Sequence, residues 1–316
     1  MELQLAIMTD KKFRLVTRAD FDGVVSGGLL IEMGLVDEIA FVEPKDMQDG
    51  KVPITGNDIT ANLPYVDETH LCFDHHLSET LRVGEKPNLI IDPNEPSAAR
   101  VIYEYYGGES TFPGISPELM DAVDKADSAN YSEMDILAPD SWTLLNFVLD
   151  PRTGLSRFAH FKVSNEQLMK DMMVYCRHHP IDEILKIPDV EERIHLYEEH
   201  EEQFEMQLRR CATVHKNLVV IDLRKEDTIF AGNRFTAYAI FPDCNISIQV
   251  LPHTEGDITV MATGKSILDK SSKTNVGELM LEYGGGGHEA AGTCRIPNAD
   301  ADKILAELVE RITADG

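Results

Sequence analysis

Two carboxylates one residue apart, Asp20-Phe21-Asp22-Gly23, and a carboxylate followed by two imidazoles, Asp74-His75-His76, are the residues of this chain best suited to chemistry. Each group follows a short apolar run, Phe13 to Val16 and Leu71 to Phe73, that reads as a buried strand. Strand ends in an open α/β sheet gather along one edge, where such folds place their ligands. Carboxylates and imidazoles brought together there repel one another or sit desolvated unless a cation holds them. Asp127, in Lys125-Ala126-Asp127-Ser128 at the close of a helical pattern, belongs with this set. Hard oxygen donors with imidazole suit manganese, magnesium or iron better than a thiolate-seeking ion. Taken singly, Asp-x-Asp-Gly is an ordinary turn and His75-His76 an ordinary strand-end pair; the full set in this order argues for a metal site.

A second group is Gly284-Gly285-Gly286-Gly287-His288, followed by Ala290-Ala291-Gly292. Successive glycines expose backbone N–H groups with no side chains in the way, so a phosphate or a nucleobase can approach closely. The small-residue segment behind them is expected to begin a helix whose N-terminus faces the anion. A bare glycine run would be a loop after a helix C-cap; His288 and the tight Ala-Ala-Gly favour binding.

The elements that must position these groups alternate. Strand-like runs at Phe13–Val16, Ile39–Val42, Ile59–Ala61, Leu71–Phe73 and Leu89–Ile91 are interleaved with helical patterns, notably Val24–Met33, Ser97–Tyr106 and Pro117–Ala126. This predicts βαβ units and a mainly parallel sheet with flanking helices. A mostly helical stretch runs from Trp142 to about Lys186. From Asp189 to Arg210, Val190, Ile194, Tyr197, Phe204, Leu208 and Cys211 form a coiled-coil-like seam, read as the helix that connects two domains. The same seam could pack on its own domain or pair two subunits, so a homodimer is open. Strands at Asn217–Leu223, Ile246–Leu251 and Ile258–Ala262 follow, then a helix at Thr274–Tyr283. A terminal amphipathic helix carries Ala301, Ile304, Leu305, Leu308, Val309 and Ile312 on one face. The expected organisation is α/β throughout: a first domain over 1–188, a connecting helix over 189–212, and a smaller α/β domain over 213–316.

The size fits this division, since 316 residues are too many for one ordinary core. The net charge of -26, Asp+Glu 55 against Lys+Arg 29, opposes a long polyanion and leaves no basic run for duplex nucleic acid. A small anion is still admissible where a metal and a few local cations dominate a pocket. No apolar run approaches the roughly 20 residues that span a bilayer, and Met1 to Met8 lacks the basic start of a signal peptide, so a cytoplasmic address is expected. Five scattered cysteines without C-x-x-C spacing predict neither a disulfide frame nor a zinc ribbon. His178-His179 and the Glu198–Glu202 run read as surface groups, Trp142 as core, and Asp150-Pro151-Arg152-Thr153-Gly154 as a turn from which Arg152 could reach a ligand.

In the order and separation of these motifs the chain resembles the DHH phosphoesterase family, in its two-domain branch with a DHH-associated substrate domain. RecJ-like exonucleases, nanoRNases that also cleave pAp, and exopolyphosphatase-related proteins belong to that branch. The resemblance covers nearly the whole chain. It implies a DHH fold and two divalent ions, usually manganese, which activate a bridging water in a cleft between the domains. By position, Asp20, Asp22, His75 and Asp127 match metal ligands, His76 the residue that faces the phosphate, and Asp74 an orienting group. Gly285, Gly286, Gly287 and His288 match the substrate cradle. Ser266, Lys270 and Asn275 lie in a segment similar to one that contributes polar or cationic contacts, and read equally well as solvated loop residues.

Two departures bear on the mechanism. Arg18 stands where many relatives have a metal-binding His, and Asn62 where they have the carboxylate that bridges both ions. Arg18 stays protonated and cannot donate a lone pair, and Asn62 gives one neutral oxygen, a poor bridge between dications. A site of about four negative charges balances two dications. Here Asp20, Asp22 and Asp127 give three, and Arg18 cancels one, leaving enough for one ion. The expected site therefore holds a single divalent ion, with Arg18 in the place of the second. The activity implied is metal-dependent hydrolysis of a phosphodiester, phosphomonoester or phosphoanhydride bond in a short oligonucleotide, a 3′-phosphorylated nucleotide or polyphosphate. Two other readings stay open: a catalytically weakened nucleotide- or phosphate-binding protein, and a structural partner acting through the charged helix.

Overall fold

Short runs in which nearly every side chain is apolar need cover on both faces, and the computed structural model places five of them side by side. It describes residues 11–158, 161–253 and 256–316; the Met1–Met8 stretch lies outside them. Strands β1 (Phe13–Thr17), β2 (Val36–Phe41), β3 (Asp58–Ala61), β4 (Leu71–Asp74) and β5 (Leu89–Ile91) form one sheet in the order β2-β1-β3-β4-β5. Every neighbouring pair is parallel. Thr17 lies opposite Ala61, Ala61 opposite Phe73, and Asp74 opposite Ile91, so the carboxyl ends finish nearly level. The order reverses between β1 and β3, which opens a crevice at those ends.

Helix α1 (Phe21–Glu32) starts there, capped by Asp20, whose carboxylate accepts from the Gly23 N–H at 3.0 Å. Its first ten residues are all buried. Gly27 admits Met173 of α8 (Asn165–Tyr175): a Cβ on Gly27 would lie 2.4 Å from the Met173 sulfur. After the short helices α2 (Pro44–Gln48) and α3 (Leu77–Val83), α4 (Ala98–Tyr105) and α5 (Pro117–Asp127) are each capped by a serine, Ser97 and Ser116. Helices α7 (Ser141–Leu149) and α9 (Ile181–Ile184) complete the helical stretch, with Trp142 buried as expected.

The chain divides into two compact units. The first comprises residues up to Asn130, Asp140–Pro151 and Leu155–His195; the second comprises Tyr131–Pro139, Arg152–Gly154 and Leu196–Gly316. Helix α10 (Pro188–Cys211) is continuous across the division. Its seam residues Val190, Ile194, Tyr197, Phe204 and Leu208 are buried, and the last two pack with Val219, Ile221 and Leu223. A seam buried in its own chain offers nothing to a second subunit, so that reading of it is corrected. Arg193, on the same helix, is enclosed: it donates to the carbonyls of Asp189 and Val163, each at 2.7 Å, and stacks on the Phe161 ring.

The second unit carries a mixed sheet in the order β10-β11-β9-β8-β7-β6. Its strands are β6 (Ala212–His215), β7 (Leu218–Asp222), β8 (Ile246–Pro252), β9 (Ile258–Lys265), β10 (Gly286–His288) and β11 (Ala291–Pro297). Only β7 and β8 run parallel. Helices α12 (Val276–Glu282) and α13 (Asn298–Asp315) bury Val276, Met280, Leu308 and Ile312 with Ile248, Met261 and Cys294. Short α6 (Glu133–Leu137) and α11 (Thr236–Ile240) also belong to this unit. The α/β class is therefore as expected, but the glycine run departs from the reading given above. No helix begins after it; Gly286–His288 and Ala291–Pro297 pair as an antiparallel hairpin, with Gly287 opposite Gly292. All five cysteines are free thiols, and among the described residues no helix is long and apolar enough to cross a membrane.

The turn from β1 into α1 depends on Gly23, where a Cβ would lie 2.1 Å from the Arg18 carbonyl oxygen. Gly23→Ala is therefore expected to destabilise the protein by about 1–3 kcal/mol, against the usual gain from replacing a helical glycine. Gly56→Ala, where a Cβ meets nothing within 4 Å, is the control. Urea midpoints measure both, and equal midpoints would refute the steric account.

Candidate active site

The carboxyl ends of β1, β3 and β4 deliver Arg18 and Asp20, Asn62, and Asp74-His75-His76 to one edge of the first sheet. One ligand atom each from Asp22, His75 and Asp127 lies within 4.8 Å of the others. Asp22 enters from the first turn of α1 and Asp127 from the last residue of α5. The Asp22 carboxylate is buried and accepts from two N–H groups at the start of α4, Ala98 at 3.1 Å and Ala99 at 2.8 Å. Each such charge-assisted bond returns roughly 1.5–3 kcal/mol, against a burial cost of several kcal/mol per ion. Burial wins: together with the charge of Asp127 it pushes the Asp22 carboxyl well above the usual carboxylate range, against the pull of His75. The carboxylate form needs a further positive charge.

His75 is oriented to receive one. Its Nδ1–H donates to the Glu95 carbonyl oxygen at 3.2 Å, which fixes the ring and turns Nε2 toward the carboxylates. Burial pulls this imidazole down, but the contact with Asp127 and the charges of Asp22, Asp127 and Asp74 prevail and raise it to about 9. The same field attracts a metal cation. His75 Nε2 and Asp127 Oδ2 are 2.8 Å apart, yet Nε2 is buried without an aligned hydrogen-bond partner. The two atoms fit a shared cation better than each other. One imidazole nitrogen with two carboxylates, each braced by the backbone or by a neighbour, is a donor set for a divalent ion such as manganese, magnesium or iron.

Asp20 stands apart from this donor set. Its Oδ1 caps α1, its Oδ2 lies 3.2 Å from Arg18 Nε, and the Asn62 amide approaches both oxygens at 3.4 and 3.5 Å. Of the four residues expected to coordinate, Asp22, His75 and Asp127 cluster, while Asp20 faces the Arg18 guanidinium. Asn62 sits directly after β3 in the left-handed region, φ 56°, which asparagine tolerates better than most residues. Its Oδ1 is buried without a partner. Asp58, by contrast, is engaged by Arg14 at the opposite end of β3. Asp74 is buried and accepts from His76 Nδ1–H at 2.7 Å, and the His76 side chain keeps 31% of its surface exposed. A buried carboxylate behind a half-exposed imidazole orients the ring. The distractors fall away: His178 contacts Glu32 and His179 the Tyr175 carbonyl, both at the surface.

The first turn of α4 and the Glu95 carbonyl had no place in the sequence reading. Ser97 is legible as a helix cap, but its neighbours' contact with Asp22 joins residues 76 and 77 positions apart. Backbone groups leave no residue-type signal.

In the second unit the glycines separate by purpose. A Cβ on Gly285 would lie 2.1 Å from the Thr293 carbonyl oxygen, and one on Gly287 2.2 Å from that of Ala291. Gly277 of α12 similarly admits the Gly287 backbone. These positions are required by the close hairpin. Gly286 is different: a Cβ there meets nothing within 4 Å. Beside exposed His288, it leaves open space at the outer strand of the sheet. Ser266 is buried and accepts from the Leu268 and Asp269 N–H groups, and Asn275 caps α12. Both serve the local backbone, while Lys270 is exposed. Gly286→Ala is expected to leave the urea midpoint unchanged, whereas Gly285→Ala and Gly287→Ala each cost about 1–3 kcal/mol. Equal losses at all three positions would contradict this division.

No family model matches the chain, and no curated protein does. Among solved structures, a pGpG-specific phosphodiesterase, PggH, from Vibrio cholerae is 54% identical, with 96% of this chain and 100% of that chain covered and a TM-score of 0.83. CDC45 from Entamoeba histolytica is 10% identical over 99% of this chain and 98% of that one, with a TM-score of 0.56. RecJ from Thermus thermophilus, solved with Mn2+, is 14% identical over 99% of this chain and 53% of that one, with a TM-score of 0.52. The last two share the fold alone. Identity of 54% over the full length of the first, on a chain that carries Asp20-x-Asp22, Asp74-His75-His76 and the glycine hairpin in order, shows that this protein belongs to the DHH phosphoesterase family.

Proposed function

We infer that the chain hydrolyses the phosphodiester bond of a short linear dinucleotide of the pGpG kind, with one divalent ion, most simply manganese, at Asp22, His75 and Asp127. The observation that carries this reading is the three-residue donor cluster, beside which Asp20 faces the Arg18 charge and the Asn62 amide. The pGpG specificity of the Vibrio relative supports the substrate class.

A divalent ion held by Asp22, His75 and Asp127 would lower the pKa of its water and polarise a phosphoryl oxygen. The chain's own groups do the rest. The α4 N–H groups and the Glu95 carbonyl hold Asp22 and His75 in ligand orientation. His76, backed by Asp74, offers a donor to a phosphoryl oxygen as charge develops there. Arg18 uses Nε on Asp20, and its terminal N–H groups are proposed to hold a phosphate oxygen. Asn62 holds Asp20 at the carboxyl end of β3. The water oxygen bonds to phosphorus, the bond to the 3′ oxygen breaks, and that oxygen takes up a proton, so pGpG and water give two 5′-mononucleotides. Gly286 and His288 are the groups of the second unit proposed to meet the substrate.

The competing reading is a binding protein that has lost turnover, and it draws on the same engagement of Asp20. Manganese-dependent cleavage of pGpG by the purified chain decides between them. His76→Ala is expected to lower kcat roughly 10²–10³-fold with metal content unchanged; unaltered turnover would remove His76 from the mechanism. Metal analysis of freshly purified protein is expected to find about one ion per chain, and a stoichiometry of two would refute the single-ion account. Joint replacement of Arg18→His and Asn62→Asp is expected to create a second site and raise the stoichiometry.

A further inference from the structure

A cation shared by several side chains binds tightly where their spacing is set before it arrives, so the elements that carry them must be tied together. Asp22 comes from α1, His75 from the turn after β4, and Asp127 from α5. The first two are held by one short segment. The Glu95 carbonyl takes His75 Nδ1–H, and the Ala98 and Ala99 N–H groups take the Asp22 carboxylate. Asp127 is the last residue of α5. Whatever fixes the 95–99 segment against the end of α5 therefore fixes the whole cluster.

Asp124 makes that connection. Its Oδ1 accepts from the Ser97 hydroxyl at 2.7 Å, and its Oδ2 accepts from Arg100 Nε at 2.9 Å and Nη2 at 2.6 Å. Ser97 is buried, and its oxygen also accepts from the Arg100 N–H at 3.0 Å. One hydroxyl thus caps α4 and grips α5. The Asp124 and Arg100 side chains keep only 17% and 18% of their surface exposed, a setting in which charge-assisted bonds of this length are strong. Arg100 answers the Asp124 charge locally, so this carboxylate has no need of the cation. The Asp124 backbone serves the same end of α5. Its carbonyl accepts from the Ser128 N–H at 3.2 Å and from the Ser128 hydroxyl at 2.6 Å, which closes the turn that carries Asp127.

We propose that Asp124 is a positioning residue for the divalent ion: with Ser97 and Arg100, it sets the separation of Asp22, His75 and Asp127. It acts through the segment and the helix turn that it joins, not as a ligand. The inference rests on the reading of the three clustered residues as the metal site. Removing any charge near a cation also changes affinity, so the test separates spacing from charge.

The measurement is calorimetric titration of the metal-free full chain with manganese, for the parent, Arg100→Gln and Asp124→Asn, each checked for the parent's fold by circular dichroism. The two substitutions change the local charge in opposite directions. An effect of charge alone tightens manganese binding in Arg100→Gln and weakens it in Asp124→Asn. Loss of spacing weakens both, and the expected result is a Kd raised about tenfold or more in each. Tighter or unchanged binding in folded Arg100→Gln overturns the inference, as does an unchanged Kd in Asp124→Asn. Should Arg100→Gln fail to fold, Asp124→Asn decides the matter at about 0.1 M and about 1 M salt. A loss that persists at the higher salt supports the inference, and one that fades there is an effect of charge and overturns it. A parent chain that binds no manganese overturns the metal reading itself, and the role of Asp124 falls with it.

Discussion

Four carboxylates brought to one edge of a parallel sheet must each be neutralised, and the first unit is organised around that requirement. Asp22 takes two N–H groups from the start of α4, Asp20 takes Arg18 and the cap of α1, Asp74 takes the His76 imidazole, and Asp127 faces His75. These solutions differ in strength. Neutral N–H donors leave Asp22 with its carboxyl raised, whereas Arg18 gives Asp20 a full positive charge. The unmet demand falls on the Asp22, His75 and Asp127 cluster, where a cation completes the arrangement.

Arg18 and Asn62 therefore act together. The guanidinium supplies charge that a second ion would bring, and the neutral Asn62 amide donates to Asp20, a contact that a carboxylate at this position would turn into repulsion. The left-handed backbone at residue 62 brings the amide within reach while its N–H still donates to the Phe73 carbonyl. The expected three-to-one balance of charge has a geometrical counterpart in the Arg18 guanidinium lying 3.2 Å from the Asp20 carboxylate. The glycine run shows a different economy. Gly285 and Gly287 permit close backbone approach within the hairpin, Gly284 takes a positive φ of 75°, and Gly286 leaves space with no such backbone demand.

Much of this was legible in residue order. Short apolar runs announced the five parallel strands; those at β1, β3 and β4 are covered on both faces, whereas edge strand β2 exposes Asp37 and Glu38. The helical patterns over Ser97–Tyr106 and Pro117–Ala126 were also legible, and in the structure Ser97 and Ser116 cap these helices. The hairpin at Gly286–Pro297 was not legible, since Gly-Gly-His and Ala-Gly-Thr have no strand propensity and are held by pairing with each other and with β9. The edge strand β6 follows α10 without a break and exposes Val214, so neither turn chemistry nor burial betrayed it.

Residue types and their spacing determined that this chain carries acids, imidazoles and a lone arginine at strand ends, and hence that a divalent ion belongs there. Those are local properties, encoded within a few residues of each motif. Which acid would face Arg18, which backbone N–H groups would hold Asp22, and which glycine would stand open were decided only in three dimensions. The Asn62 contact with Asp20 and the α4 contacts with Asp22 join residues 42, 76 and 77 positions apart, and such distances are set by packing, which no single motif contains.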